Sequence, residues 1–204
     1  MTINNRFEQI KQTVRVATNV VRPDKTADAG VSDLLREHFI EASINEKPAF
    51  RLACTPNGLA ELVLGRIVTE GLIKKRSDVE SVYICETGSA AKIYLKQDME
   101  LLDGAGELYT EPTCCTENTF LGSFRSVKEL QPLPRAAYSE EHIFALIGKF
   151  RENASLHRQT KGTHSCYLSH RGIYQGVFED IGRHNALDKA TAFCLPQGGC
   201  LLIW

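Results

Sequence analysis

The chain has no C-x-x-C pair, no long apolar run, no excess of either charge sign and no internal repeat. Each absence removes a class of protein. Seven cysteines fall at 54, 85, 114, 115, 166, 194 and 200, none three positions from another. A zinc ribbon or thioredoxin-like site needs that spacing to hold two thiolates on one turn, so both are set aside. Lys and Arg number 24 against 25 Asp and Glu, a formal net charge of −1. That excludes a general electrostatic grip on nucleic acid or acidic membrane, though not a local basic pocket. No apolar stretch approaches the roughly 20 residues of a membrane span. The opening MTINNRFEQIKQ lacks the apolar core of a secretory signal. The expected setting is cytoplasmic, with no membrane or nucleic-acid partner and with thiols rather than a disulfide frame.

What is present suits a globular protein: 43 % of the 204 residues are hydrophobic and 24 % charged. Such a length forms one domain, or one with a small partner, burying roughly 70 % of its unfolded surface. Residues 14–21 (VRVATNVV) and 39–44 (FIEASI) have strand-like density of β-branched and apolar residues. Residues 45–48 read as a turn and 49–54 as the returning strand. Thr55 is an expected N-cap and Pro56 a first helical residue. Leu59, Leu62, Val63, Ile67 and Val68 form an apolar helical face, assigned to packing and dimer contacts, and Gly71 ends the helix. Residues 81–95 read as a hairpin around Glu86 to Ser89. Pro132 and Pro134 mark a boundary, dividing an α+β region at 1–133 from an α/β region at 134–204.

In that second region Ser139 caps a helix with Glu140 and Glu141 in its first turn. Its face is Ile143, Phe144, Leu146, Ile147 and Phe150. Strands follow at 165–168 and 173–178, joined by a turn at 169–172. A tight loop at 179–184 leads to a helix over 186–194. The closing CLLIW reads as a buried strand just starting, so the region is expected to be C-terminally incomplete.

Three segments carry candidate chemistry. Between strand and helix, Glu179 to Lys189 offers Gly182 for close backbone approach, and Arg183 and His184 as donors to an anion. Asn185 is the expected N-cap, with Asp188 three residues on in a capping-box arrangement. A helix N-terminus so furnished suits phosphate or carboxylate, though capping alone also explains these residues. Lys189 is open between a ligand contact and a surface charge. Lys161 to Cys166 adds Gly162, Thr163 and His164 at a strand edge, at the same end of the sheet. The polar stretch Pro112 to Asn118 holds Cys114 and Cys115, where an exposed thiolate can attack sulfur or carry it as a persulfide. Cys54, Cys85 and Cys194 read as small core residues.

At these segments the chain resembles the formate dehydrogenase accessory sulfurtransferases (FdhD type). The run from Phe178 to Lys189 (FEDIGRHNALDK) resembles that family's signature, Gly162-Thr-His164 its second motif, and Thr55 to Ile73 its N-terminal helix. The resemblance covers about residue 40 to the end. It implies a sulfur carrier, a sulfurtransferase in the broad sense. Such a carrier takes sulfur from a cysteine desulfurase as a persulfide on Cys114 or Cys115. It passes that sulfur to the molybdenum cofactor (bis-molybdopterin guanine dinucleotide) before insertion into formate dehydrogenase. It further implies a cytidine-deaminase-like three-layer α/β domain with a smaller N-terminal α+β domain, and a homodimer.

No cofactor is expected to be permanently bound. Molybdopterin guanine dinucleotide or a guanine nucleotide is expected to bind transiently at His164, Gly182, Arg183, His184 and Asn185. Two departures stand out. Many members have a C-x-x-C loop where this chain has Cys114-Cys115-Thr-Glu-Asn, with Cys115 the better match. The family also continues past Trp204 with a portion that contributes to cofactor binding.

Two other readings are weighed. A deaminase-like zinc hydrolase needs H-x-E followed by P-C-x-x-C. Here Cys166 stands two residues after His164, where the glutamate would be, and no such pair lies downstream, so no metal site is assigned. A nucleotide-binding accessory module without covalent sulfur chemistry is the alternative, and it survives if the loop cysteines prove dispensable.

Overall fold

The computed structural model describes residues 1–73, 75–96, 110–111, 139–170, 172–194 and 201–203. Alternation of inward apolar residues builds the first sheet. In β4 (His38–Ile44), Ile40, Ala42 and Ile44 point inward. In β6 (Val79–Ile84) Val79, Val82 and Ile84 do so, and in β7 (Ala90–Leu95) Ala91, Ile93 and Leu95. With β1 (Thr2–Asn5), β5 (Lys47–Cys54) and β8 (Thr110–Glu111) they form a six-stranded mixed sheet in the order β1-β6-β7-β4-β5-β8. The β4–β5 turn is tighter than the sequence suggests. Only Asn45 and Glu46 form it, both at positive φ, the two-residue hairpin geometry that matches strand twist. Pro48 lies in β5 beside a register shift at Ala42/Ser43, a position where its missing N–H is tolerated.

The helix α1 (Leu59–Thr69) covers this sheet. Leu59, Leu62, Val63 and Ile67 are almost wholly removed from solvent. Each such side chain contributes about 1.5–3 kcal/mol. Gly71 ends the helix as expected, at φ +74°, with its N–H on Val68 O at 2.8 Å. The helix start differs. Its N-cap is Gly58, because the Thr55 hydroxyl is held by Asp180 instead. Nor is α1 free for dimer contacts, since its other side packs on α4 (Arg183–Cys194). A Cβ on Gly65 would stand 1.7 Å from the carbonyl oxygen of Asp188, so Gly65 is where the two helix backbones meet.

A second sheet, in the order β10-β9-β11, is formed by β9 (His164–His170), β10 (Ile173–Asp180) and β11 (Leu201–Ile203). On one face Cys166 packs against Ala186 and Ala190 of α4. On the other, Phe150 of α2 (Glu140–Asn153) stacks on Tyr167 at 4.2 Å and tilts against Tyr174. Ser139 caps α2 as expected, accepting from His142 N at 3.3 Å. The expected face is only half used: Leu146 and Phe150 are buried, whereas Ile143, Phe144 and Ile147 are exposed. The short α3 (Ser155–Thr160) follows, with Ala154 at its N-cap.

A two-stranded ribbon, β2 (Thr13–Val21) with β3 (Ala27–Leu35), stands off the first sheet. The expected boundary near residue 133 lies outside the described residues, as does the 112–118 stretch with Cys114 and Cys115. No helix among the described residues is long and apolar enough to cross a membrane.

Candidate functional site

Strand β10 runs two residues further than the sequence suggests, and α4 begins three residues earlier, at Arg183. The loop shrinks to Ile181 and Gly182. This tight turn is stabilised from below by buried charge. Asp180 is wholly buried, and its Oδ1 accepts from Gly182 N and Asn185 Nδ2, both at 2.9 Å. Its Oδ2 accepts from Thr55 N at 3.2 Å and lies 2.9 Å from Thr55 Oγ1 and 2.6 Å from Lys189 Nζ. Lys189 is buried too. Its ammonium also reaches Asn57 Oδ1 at 2.7 Å, Thr55 Oγ1 at 3.1 Å and Glu179 O at 3.2 Å. A buried ion pair survives only when its remaining donors and acceptors are also met, and here they are.

Two expectations about capping, and one about a surface charge, are corrected by this network. Asn185 lies within α4 and is buried; its amide donates to Ala53 O at 2.8 Å as well as to Asp180, so it locks the turn instead of capping. Asp188 forms no capping box. It accepts from Thr69 Oγ1 at 2.8 Å and stands 3.8 Å from Arg66, itself buried and 2.7 Å from Glu70. Lys189 is not a surface charge. Gly182 also has a structural reason beside the expected one: a Cβ there would come within 2.8 Å of Asn185 Nδ2.

Glu179 supplies a cap that the sequence does not suggest. With alanine at its N-cap, α3 has no side chain of its own for that role. The Glu179 carboxylate accepts from Leu156 N at 3.0 Å and His157 N at 2.6 Å, and from Thr163 Oγ1 at 3.2 Å. The Gly162–His164 stretch is thereby tied to the same turn, and His164 is the cross-strand partner of Asp180.

Above this skeleton Arg183, His184 and His164 gather at the N-terminal end of α4, with Arg183 supplying the standing positive charge. Ala186 N bonds Gly182 O at 3.0 Å, which leaves the first-turn N–H groups directed out of the helix. Burial, then the charges of Arg183, Arg66 and His164, hold the His184 imidazole below its ordinary value. His164 itself is exposed, and Arg183 and His184 are half-buried. The arrangement fits an anion. Among the described residues no three His, Cys, Asp or Glu side chains stand where they could share a metal ion.

The described cysteines divide clearly. Burial pushes the Cys54 thiol up to about 12, with Asp180 adding to the effect, and Cys166 up to about 11. Cys85 is corrected from a core residue to a turn residue between β6 and β7. Partial burial raises its thiol, but donors from Thr87, Ala90 N–H and Ser89 outweigh this and bring it down to about 7. A cavity of about 220 Å³ lies elsewhere, lined in part by Leu72, Ile73, Lys75 and Lys96.

The parts missed by sequence reasoning were Thr55, Asn57, Arg66, Glu179 and Asp180. Their one visible signal was the joint presence of the 55–73 and 178–189 segments, each dense in polar residues beside apolar runs.

Comparison with known proteins places these segments in one family. The FdhD/NarQ family model matches residues 35–200. The sulfur carrier protein FdhD of Listeria innocua is 31 % identical over 173 residues, 82 % of this chain and 65 % of that protein. The protein of the same name from Shouchella clausii is 30 % identical over 172 residues, 81 % and 63 % respectively. The chain therefore spans a little under two thirds of the length of these relatives. A Desulfotalea psychrophila crystal structure described as a formate dehydrogenase accessory protein shares the fold. Its TM-score is 0.68 over 91 % of this chain and 69 % of that one, at 22 % identity. Because the match takes in 35–200, with α1, most strands of both sheets and the whole Asp180–Lys189 segment, this chain belongs to the FdhD/NarQ family.

Proposed function

We propose that the chain is a cytoplasmic sulfur carrier required for formate dehydrogenase activity. It accepts sulfur from a cysteine desulfurase and passes it to the molybdenum cofactor before that cofactor enters the enzyme. The supporting observation is the family match over 35–200, which includes the assembled turn beneath Arg183, His184 and His164. Cys115, or else Cys114, is the carrier thiol in this reading. Its thiolate attacks the terminal sulfur of a desulfurase persulfide; a new S–S bond forms as the old one breaks, and the desulfurase cysteine leaves as thiolate. No net oxidation occurs. The corner formed by Arg183, His184 and His164 receives the phosphate-bearing end of a guanine dinucleotide or guanine nucleotide, with Arg183 as its charge and Gly182 and Asn185 holding the turn in shape. The helix–sheet–helix order of α2, the second sheet and α4 is compatible with a cytidine-deaminase-like domain, and a homodimer belongs to the same reading.

The test is incubation with a cysteine desulfurase and free cysteine, followed by peptide mass mapping. The 114–115 peptide should gain the mass of one sulfur, removable by a reducing thiol. Cys85, with its thiol near 7, is the informative competitor. Sulfur on Cys85 alone, or on no cysteine, overturns the assignment and favours a nucleotide-binding module without covalent chemistry.

A further inference from the structure

Helix α4 packs on α1, β9 and β10, and the charges these elements bring to its first turn are unequal in sign. Arg183 precedes His184 on the helix; Arg66 adds its charge from α1, and His164 stands with them from β9. The carboxylates of the same elements are engaged with other groups. Glu70 holds Arg66 at 2.7 Å, and Asp188 accepts from Thr69 Oγ1 at 2.8 Å. In β10, Asp180 is taken by Lys189 at 2.6 Å, and Glu179 caps α3 at 3.0 and 2.6 Å. Glu61, the one acid within α1, lies in that helix's first turn beside Gly58. A half-buried imidazole is thus set at the positive end of a helix, next to a guanidinium, with no carboxylate partner among the described residues. Such surroundings favour the neutral ring. Burial first, and these charges next, hold His184 below its ordinary value.

We propose that anion binding at this corner is coupled to uptake of a proton by His184, so that the site takes its ligand as anion plus proton and releases both together. This rests on the reading of the corner as the seat of a phosphate-bearing ligand. An arriving phosphate reverses the field at the ring. The imidazolium gains a negative partner and a second N–H to donate to it. His184 feels that charge through protein, whereas His164 is exposed and water screens it there. Arg183 keeps its charge at every working pH, and His184 adds its own only while the ligand is present.

The sign follows from linkage. The ring's value is low in the free protein and raised in the complex. The extra affinity is therefore complete below the free value and is lost as pH rises through the bound one. Its size is about tenfold for each unit by which the ligand raises the ring.

Calorimetric titration of the full chain with diguanosine pyrophosphate tests it. The phosphates of this probe are esterified and hold no proton near neutrality, so any proton taken up goes to the protein. Near pH 7, in PIPES and in imidazole buffer, the observed heats should differ by the buffers' ionisation enthalpies multiplied by a positive proton fraction. Affinity should fall as pH rises. His184→Gln should bind with no uptake, whereas His164→Gln should retain it. On the natural chain, the His184 ring signal followed by NMR should titrate at higher pH with the probe than without, whatever the variants do. Binding without uptake, or with proton release, overturns the inference and leaves the nucleotide reading intact. An unmoved His184 midpoint, or uptake that survives His184→Gln, also overturns it. No binding of the probe at all overturns the nucleotide reading and this inference with it.

Discussion

Replacing Lys189 by methionine isolates the charge at the centre of the candidate site. The unbranched stem is kept in length, with sulfur and a methyl group in place of the Cδ and Cε atoms that pass beside Gly58. What is lost is an ammonium within 2.6 Å of Asp180, 2.7 Å of Asn57, 3.1 Å of Thr55 and 3.2 Å of the Glu179 carbonyl. Breaking a buried ion pair costs about 3–5 kcal/mol, because the remaining charge has no solvent to turn to. Asp180 retains donors from Thr55, Gly182 and Asn185, each worth about 1.5–3 kcal/mol to a charged acceptor. The expected loss is therefore at the low end, about 3 kcal/mol. With a urea slope of about 2 kcal/mol/M, the unfolding midpoint falls by about 1.5 M. Circular dichroism during urea titration measures it. Adding Asp180→Asn to the methionine variant removes the uncompensated charge and should return part of the loss, a coupling of about 0.5–3 kcal/mol. A midpoint shift below about 0.5 M, or strict additivity in the double variant, would refute the claim that this pair holds the turn.

Two further outcomes follow from the same geometry. Arg183→Ala should weaken guanine-nucleotide binding by about 1.5–3 kcal/mol, roughly 10- to 150-fold, in calorimetry on the folded variant. Unchanged affinity would reduce the corner to a structural turn. The alkylation rate of Cys85 should rise with pH through a midpoint near 7 while Cys54 and Cys166 stay inert. Thr87→Ala removes a donor to sulfur and should move that midpoint upward, and equal rates for Cys85 and Cys166 would contradict the assignment.

Elements governed by neighbours in sequence were legible. The hairpin of β6 and β7, the Ser139 cap of α2 and the Gly71 stop of α1 all depend on residues within a few positions, and all appear where expected. Misreadings arose where a distant partner outcompetes the local one. Thr55 looks like a cap, but its hydroxyl is claimed by a carboxylate 125 positions away. Asn185 and Asp188 look like a capping box, yet Ala53 and Thr69 take them, 132 and 119 positions away. Lys189 is open to a surface reading because long cations are usually solvated; only the packing of α4 on α1 and the Thr55 turn encloses it. Cys85 follows an apolar run and reads as core, but it lies one residue beyond the strand, where the chain turns. The 161–166 and 178–189 segments were nonetheless visible as dense polar residues beside apolar runs, and the structure brings them together through the pairing of His164 with Asp180; the 112–118 stretch lies outside the described residues.

The pairing of residues 53–69 with residues 180–189 also governs how the molecule can be made. During synthesis the first sheet and α1 emerge long before α4 exists. Until then Arg66 and Thr55 face water, and Gly65 presents a bare groove with no backbone to fill it. Closing so long a loop precedes any gain from the contacts it permits, which places this step late and slow in folding. The early product is thus an open hydrophobic and charged helix surface awaiting its counterpart, the kind of intermediate on which chaperones act. The polar turn is a latch on the order of folding as much as on the finished shape.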